Sequence, residues 1–340
     1  MKQNLFLAAL VGCLSLCGTS QAVAANWRVN YDSQAKADFR DINSAMADSR
    51  VTDGDTLFLD LGTRLTSSQT ISKAVTVIGP GYFIGENDAD EAYLSADLYI
   101  TADDVKVTGL HTSSIYIRAN NAVVERCRVI GNIYGTGNYE NDNASIRSCF
   151  LTNTQIQGHK GDGALGWEIL NNIFYQFQYG GMSISDIQEA VISHNLFYKP
   201  DCQEVMYDTY NSTFTNNILL IGSYQFNCGY LSSGNIFSHN ILRNSLGDYP
   251  NNTTISFDSR FNVIEGTESE GRDVFYRLAE ESPAKGYAEN GADCGPWDGP
   301  YPYVLSGYPL HIPRFESINV PSKPEDGKLK VTLKIFNQNE

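Results

Sequence analysis

The apolar residues of this chain recur in a six-residue phrase: an apolar residue, two variable ones, Asn, one variable residue, and a second apolar residue. It runs through Ile169, Asn172 and Phe174, then Ile192, Asn195 and Phe197, then Phe214, Asn217 and Leu219, then Phe237, Asn240 and Leu242. A weaker copy is Ser259, Asn262 and Ile264. The asparagines lie 23, 22, 23 and 22 residues apart. Toward the N-terminus the frame continues over 124–129 and 146–151, with Cys127 and Cys149 in the Asn place, and over 105–110, with Thr108 there. Such a period is too long for a heptad and too short for a propeller blade. It matches one turn of a parallel β-solenoid, in which stacked coils share a core that no single coil could bury alone. Strands stack ~4.8 Å apart. Residues at one phase then form a column, and a column of Asn is favoured because each amide can bond to the next coil. The asparagines are read as a structural ladder. The two cysteines are read as small buried members of it, at a separation that also permits a disulfide.

The ends and gaps of the pattern fill out the fold. Residues 37–47 place Phe39, Ile42 and Met46 on one face and predict a short amphipathic helix. Its expected role is to cover the open edge of the first coil. The segments 131–143, 154–166, 175–187, 199–212 and 221–235 break the phrase and read as irregular loops. They are rich in aromatics, Tyr134, Tyr139, Tyr175, Tyr207 and Tyr210 among them. Tyr combines an apolar ring with a polar edge, which suits sugars as well as packing under loops. After residue 298 the chain becomes proline-rich and reads as an extended linker. Then Lys328 to Ile335 alternates polar with apolar residues and predicts one amphipathic strand packed back along the solenoid.

Charge and the first residues narrow the setting. Met1 and Lys2, an apolar run from Leu5 to Cys17, and Ala22-Val23-Ala24 have the layout of a secretory signal peptide. The expected organisation is a signal peptide over 1–25, a β-helix over 26–297, and the linker with its strand over 298–340. Leu10-Val11-Gly12-Cys13 also fits a lipoprotein signal, but Leu14 and Leu16 continue the apolar run where such a chain would turn polar. The protein is expected to be secreted or at the cell surface, with no transmembrane segment. A net charge of −15 argues against a nucleic-acid partner, since phosphate binding needs a basic surface. Nothing in the pattern specifies an oligomeric state. Beyond the signal lie Cys127, Cys149, Cys202, Cys228 and Cys294, an odd number. Cys202 and Cys228 fall in neighbouring coils, but their unequal offsets from the ladder argue against a bridge.

Candidate chemistry appears when acidic residues are indexed to the ladder. Asp186 and Asp208 each lie nine residues before the next ladder Asn, Asp162 lies ten before, and Glu140 lies nine before Cys149. Stacking would bring these carboxylates to one column at ~5 Å spacing. Like charges so close raise a pKa or recruit a cation. Asp162, Asp186 and Asp208 are therefore the candidate catalytic acids. Lys160, beside His159, is a candidate base for removing a proton α to a carboxylate. The cofactor is unspecified, with calcium as the candidate. The competing reading ties each Asp to its own turn, where its side chain bonds nearby backbone amides.

The residues from 37 to 59, ending in Gly54-Asp55-Thr56-Leu57-Phe58-Leu59, and the stretches Ser282 to Gly286 and Asp293 to Trp297 resemble the opening and closing segments of the pectin-lyase-like superfamily. The resemblance spans 26–297. It implies an all-β, right-handed parallel β-helix, a single-stranded solenoid of 22–23 residues per coil with a short N-terminal capping helix. It also implies an extracellular polysaccharide as partner, with polysaccharide lyase or glycoside hydrolase activity as the concrete form. The catalytic signatures depart from the family. Of the glycosidase set, only Gly158-His159-Lys160 offers a counterpart to Gly-His-Gly in the loop-bearing coils. The lyase motif Arg-x-Pro-x-x-Arg is absent. A non-catalytic adhesion or structural β-helix is the alternative.

Overall fold

The computed structural model describes residues 24–84, 88–137, 139–159, 164–175, 182–199, 204–221, 234–243, 251–266, 271–308, 314–319, 328 and 330–336. The chain passes repeatedly through three parallel sheets in the same order. The first sheet has ten strands, from Asn26–Val29 and Thr56–Leu59 to Ile236–Ser238. The second has ten, from Arg64–Leu65 to Thr253–Thr254, and the third has eight, from Gln69–Ile71 to Glu204–Tyr210. This is the parallel β-helix that the period predicts. Its core is made of inward rows. On the first sheet the row Leu57, Val77, Val107, Val124, Ile146, Ile169, Ile192 and Phe214 is fully buried. On the second, Phe174 stacks on Phe197 at 4.5 Å.

The corner between the first and second sheets shows why the phrase contains Asn. Each turn holds one residue in the left-handed region: Arg126, Ser148, Asn171, His194, Asn216 and His239, with φ from 50° to 59°. The next residue points inward. The Asn195 Oδ1 accepts from the Asn172 backbone N–H at 2.9 Å, and Asn217 and Asn240 repeat this bond one coil on. Each Nδ2 in turn donates to a main-chain oxygen of the preceding coil, as Asn195 does to Ile169 at 2.8 Å. The amide thus satisfies an orphan donor of a buried turn and adds a second bond to a carbonyl already paired within the first sheet. Cys149 and Cys127 continue the column. The Cys149 N–H donates to Asn172 Oδ1, and both cysteines are buried free thiols. Burial drives the Cys149 thiol far above its usual range. Cys202 and Cys228 lie outside the described residues.

The structure revises four details of the pattern. The last ladder position belongs to Asn252, whose Oδ1 accepts from the Asn240 N–H at 3.0 Å. Asn262 is exposed in the 3-10 helix Phe257–Asn262. The chain returns to the second sheet at Thr253, only 12 residues after its partner Ile241, so the final coil is short. At the other end Leu110, not Thr108, follows the corner residue Gly109. Val105 and Val107 both point inward, so a slip of two residues leaves the apolar alternation unchanged. The predicted helix is confined to Ile42–Ala47, opened by an Asp41 capping box. Phe39 instead bridges to Val29 as extended chain. The tail strand Thr332–Phe336 pairs antiparallel with Arg314–Asn319, a partner within the tail itself.

Residues 257–266 and 271–308 lie across the outside of the second sheet. There Phe150, Ile173, Leu196 and Ile218 face outward yet are buried, against Val263, Tyr276, Leu278, Cys294 and Tyr303. The outward corner side chains hold this strap in place. Ser148 Oγ donates to the Tyr301 carbonyl at 2.7 Å, Asn171 Nδ2 to that of Pro296 at 3.1 Å, and Asn216 Oδ1 accepts from the Glu289 N–H at 3.0 Å. His194 lies under Gly299, so close that a Cβ there would meet the ring at 2.6 Å.

Two outcomes follow for stability. Asn195→Leu strands the Asn172 N–H and removes the second bond to the Ile169 carbonyl, and should cost about 2 kcal/mol in urea unfolding, within the range for a buried unpaired group. Asn262→Ala should stay within about 0.5 kcal/mol, whereas equal losses at both sites would exclude this register. The second outcome concerns acid. Burial lowers the His194 pKa, outweighing the opposing pull of Asp298. A depressed imidazole contributes stability that is complete above its unfolded value of ~6.5 and lost as pH falls through the folded value. The melting temperature should therefore fall as pH drops from about 6.5 toward the folded value. It should fall less in His194→Asn, since Asn already fills the corner at Asn171 and Asn216; an unchanged pH slope would remove His194 as the cause.

Candidate functional site

The third sheet owes its outer face to strict register. The outward positions of successive strands are Thr70, Tyr99, Tyr116, Tyr134, Gln157, Ser185 and Tyr207. Apolar neighbours such as Ile115 and Ile117 are buried on either side, which leaves the tyrosines half-exposed. Parallel pairing lays like over like. Tyr99 and Tyr116 stack at 4.9 Å, and Tyr116 and Tyr134 at 5.1 Å. Rings that cover each other's faces turn their edges and hydroxyls to solvent. The Arg118 guanidinium lies 4.5 Å from the Tyr99 ring centre and 5.3 Å from that of Tyr139. Burial and the nearby Asp97 carboxylate raise the Tyr116 pKa, so the phenol keeps its proton. The row is a line of neutral donors and acceptors at strand spacing.

At its C-terminal end the row reaches two of the candidate acids. Asp186 and Asp208 do not lie in loops. They sit inside the seven-residue strands Met182–Gln188 and Glu204–Tyr210. The pairs Ser185 with Tyr207 and Ile187 with Thr209 bracket them, so the two aspartates are neighbours across the strands. Both have left-handed backbone, φ 57° and 44°, which bends each strand at the acid. Asp186 is mostly buried, and its Oδ2 accepts from Ser185 Oγ at 3.0 Å and Gln157 Nε2 at 3.1 Å. One coil earlier the adjoining position is Gly158, where a Cβ would come within 2.0 Å of the Asp186 carbonyl oxygen. Asp162 and Lys160 lie outside the described residues, between His159 and the strand Ala164–Leu165, which pairs with Ile187 and Gln188. Tyr207 is half-buried on the row and Tyr210 is exposed. Glu140 sits apart from the aspartates, accepting from Asn120 Nδ2 at 3.4 Å. Among the described residues, no three His, Cys, Asp or Glu side chains form a metal-binding group. No helix among them is long and apolar enough to cross a membrane.

A second polar cluster lies on the outer face of the second sheet. His111 Nδ1 meets Glu91 Oε2 at 2.5 Å, and the other Glu91 oxygen accepts from the Phe83 N–H and Arg128. Burial pushes the Glu91 pKa up, but these partners outweigh it and hold the carboxyl below its usual value. Arg128 and Arg272 both reach Asp88, which ties the 82–91 segment to the strap. The cluster joins three stretches of chain and has no open approach.

Tyr99, Tyr116 and Arg118 are absent from the sequence-based candidates, and Tyr134 was placed in a loop. The missed signal is an apolar–Tyr–apolar triplet at 98–100 and 115–117, echoed at 133–135. It marks third-sheet strands that fall between copies of the ladder phrase. No protein-family model matches the chain, and no curated protein matches it either.

Proposed function

We propose that this is a secreted protein of the pectin-lyase-like type that binds an extracellular polysaccharide along the outer face of its third sheet and hydrolyses it with Asp186 and Asp208. The observation that carries the reading is one row of in-register polar side chains leading to two adjacent carboxylates. A polyhydroxylated chain lying along the solenoid meets a half-exposed hydroxyl or amide at Tyr99, Tyr116, Tyr134, Gln157 and Tyr207, while Ser185 is buried against Asp186. Strand spacing puts the carboxyl groups ~5 Å apart, close to the separation of ~5–5.5 Å that retaining glycosidases use. One then serves as the acid and the other as the nucleophile. Backbone held in a sparsely populated region is itself common at working sites. The non-catalytic reading also has an observation in its favour. Two neutral donors already satisfy Asp186 Oδ2, as in a purely structural turn.

Tyr116→Ala should weaken polysaccharide binding at least about tenfold, a loss of ~1.4 kcal/mol. Asp186→Asn and Asp208→Asn should keep binding and abolish release of reducing ends. Full release from both Asn variants would make this face a binding surface only. A chelator should leave hydrolysis unchanged. If it abolishes turnover instead, and unsaturated product appears in the untreated reaction, the acids act through calcium and Lys160 becomes the base of a lyase.

A further inference from the structure

The charge around the tyrosine row selects among polysaccharides. Residues 97–104, 115–121 and 133–143 form the row and its border toward the first sheet. They carry the carboxylates of Asp97, Asp103, Asp104, Glu140 and Asp142. The basic residue among them is Arg118, and its guanidinium is taken up by the faces of Tyr99, Tyr116 and Tyr139. Hydrogen bonds hold three of these acids beside the row. Tyr99 Oη donates to Asp97 at 3.4 Å, the Asn120 N–H donates to Asp103 at 2.8 Å, and Asn120 Nδ2 donates to Glu140. Lys106, the nearest lysine along the chain, turns to the first sheet and pairs with Glu125 at 2.8 Å. This border therefore sets five carboxylates against the single guanidinium of Arg118 and presents net negative potential.

Resting on the reading that the row binds a polysaccharide, we infer that its ligand is an uncharged polysaccharide and that uronate or sulfated polymers are excluded by charge. A polyanion on the row would bring a carboxylate to each coil against fixed carboxylates a few ångströms away. The one guanidinium there, Arg118, lies over the tyrosine faces and is outnumbered by the carboxylates, so the charge balance still opposes an acidic sugar. Neutral hydroxyls face no such repulsion and find donors and acceptors at strand spacing. The tyrosine edges favour hydrogen bonding over ring stacking, since the faces that Tyr99, Tyr116 and Tyr134 turn toward one another are already covered.

The test is affinity electrophoresis and calorimetry of the whole secreted protein against a neutral glucan, a neutral mannan and polygalacturonate at low ionic strength. Exposed charges act most strongly there. The expected result is binding of at least one neutral polymer about tenfold or more tighter than polygalacturonate. Asp103→Asn with Glu140→Gln should raise polygalacturonate affinity and leave the neutral polymer unchanged, since both substitutions keep the acceptor oxygens. Preference for polygalacturonate, lost in Tyr116→Ala, would overturn the inference while the face remained a polysaccharide site. Binding of none of the three polymers would overturn both.

Discussion

A parallel solenoid must turn a buried corner at every coil, and each corner leaves a main-chain N–H without a strand partner. This is the constraint on which the structure depends. The inward Asn at that corner answers it with one side chain, whose oxygen accepts from that N–H while its nitrogen donates to a strand carbonyl of the preceding coil. Once that bond is repeated, register is fixed, since a slip by one residue would break the column and turn every neighbouring side chain to the wrong face. The three sheets, the inward apolar rows and the outward rows all inherit this registration. Where the column changes to Cys127 and Cys149, bonding weakens to a 3.5 Å contact from the Cys127 N–H to the Cys149 sulfur. Apolar packing then carries more of the load.

The same corner has an outer side, and the protein uses it. A left-handed residue must precede each ladder residue, so its side chain projects outward. Ser148, Asn171, His194 and Asn216 use that projection to bind the C-terminal strap. Inner and outer bonding are therefore coupled through single turns. The strap covers the outer face of the second sheet, and the first sheet carries paired charges such as Glu125 with Lys106, Arg126 and Arg147. The third sheet keeps a half-exposed polar row, which is why the candidate site belongs there.

How much of this was legible in the sequence depended on what repeated. The ladder repeated at 22–23 residues, so the fold class, the inward Asn172, Asn195, Asn217 and Asn240, and the buried cysteines could be read directly. Asn262 misled because its spacing was right while the last coil was short, and spacing cannot reveal a missing strand. The adjacency of Asp186 and Asp208 was also legible, because both keep one offset from the ladder. Their strands were not. Each contains a bend at the acid, which breaks the alternation by which a strand is recognised. The tyrosine row stayed hidden because its triplets are 17 and 18 residues apart, a shorter interval than the ladder's. The strap was illegible for another reason: its partners are outward residues up to 153 positions away, as for Ser148 and Tyr301.

That distance bears on the order in which the molecule is made. The ladder coils need only their immediate neighbours and can assemble as the chain emerges. The outward apolar residues Phe150, Ile173, Leu196 and Ile218 cannot be covered until residues 257–308 arrive. Biosynthesis therefore passes through a stage in which the solenoid is wound but one flank is still greasy, and completion is timed by the last stretch of polypeptide.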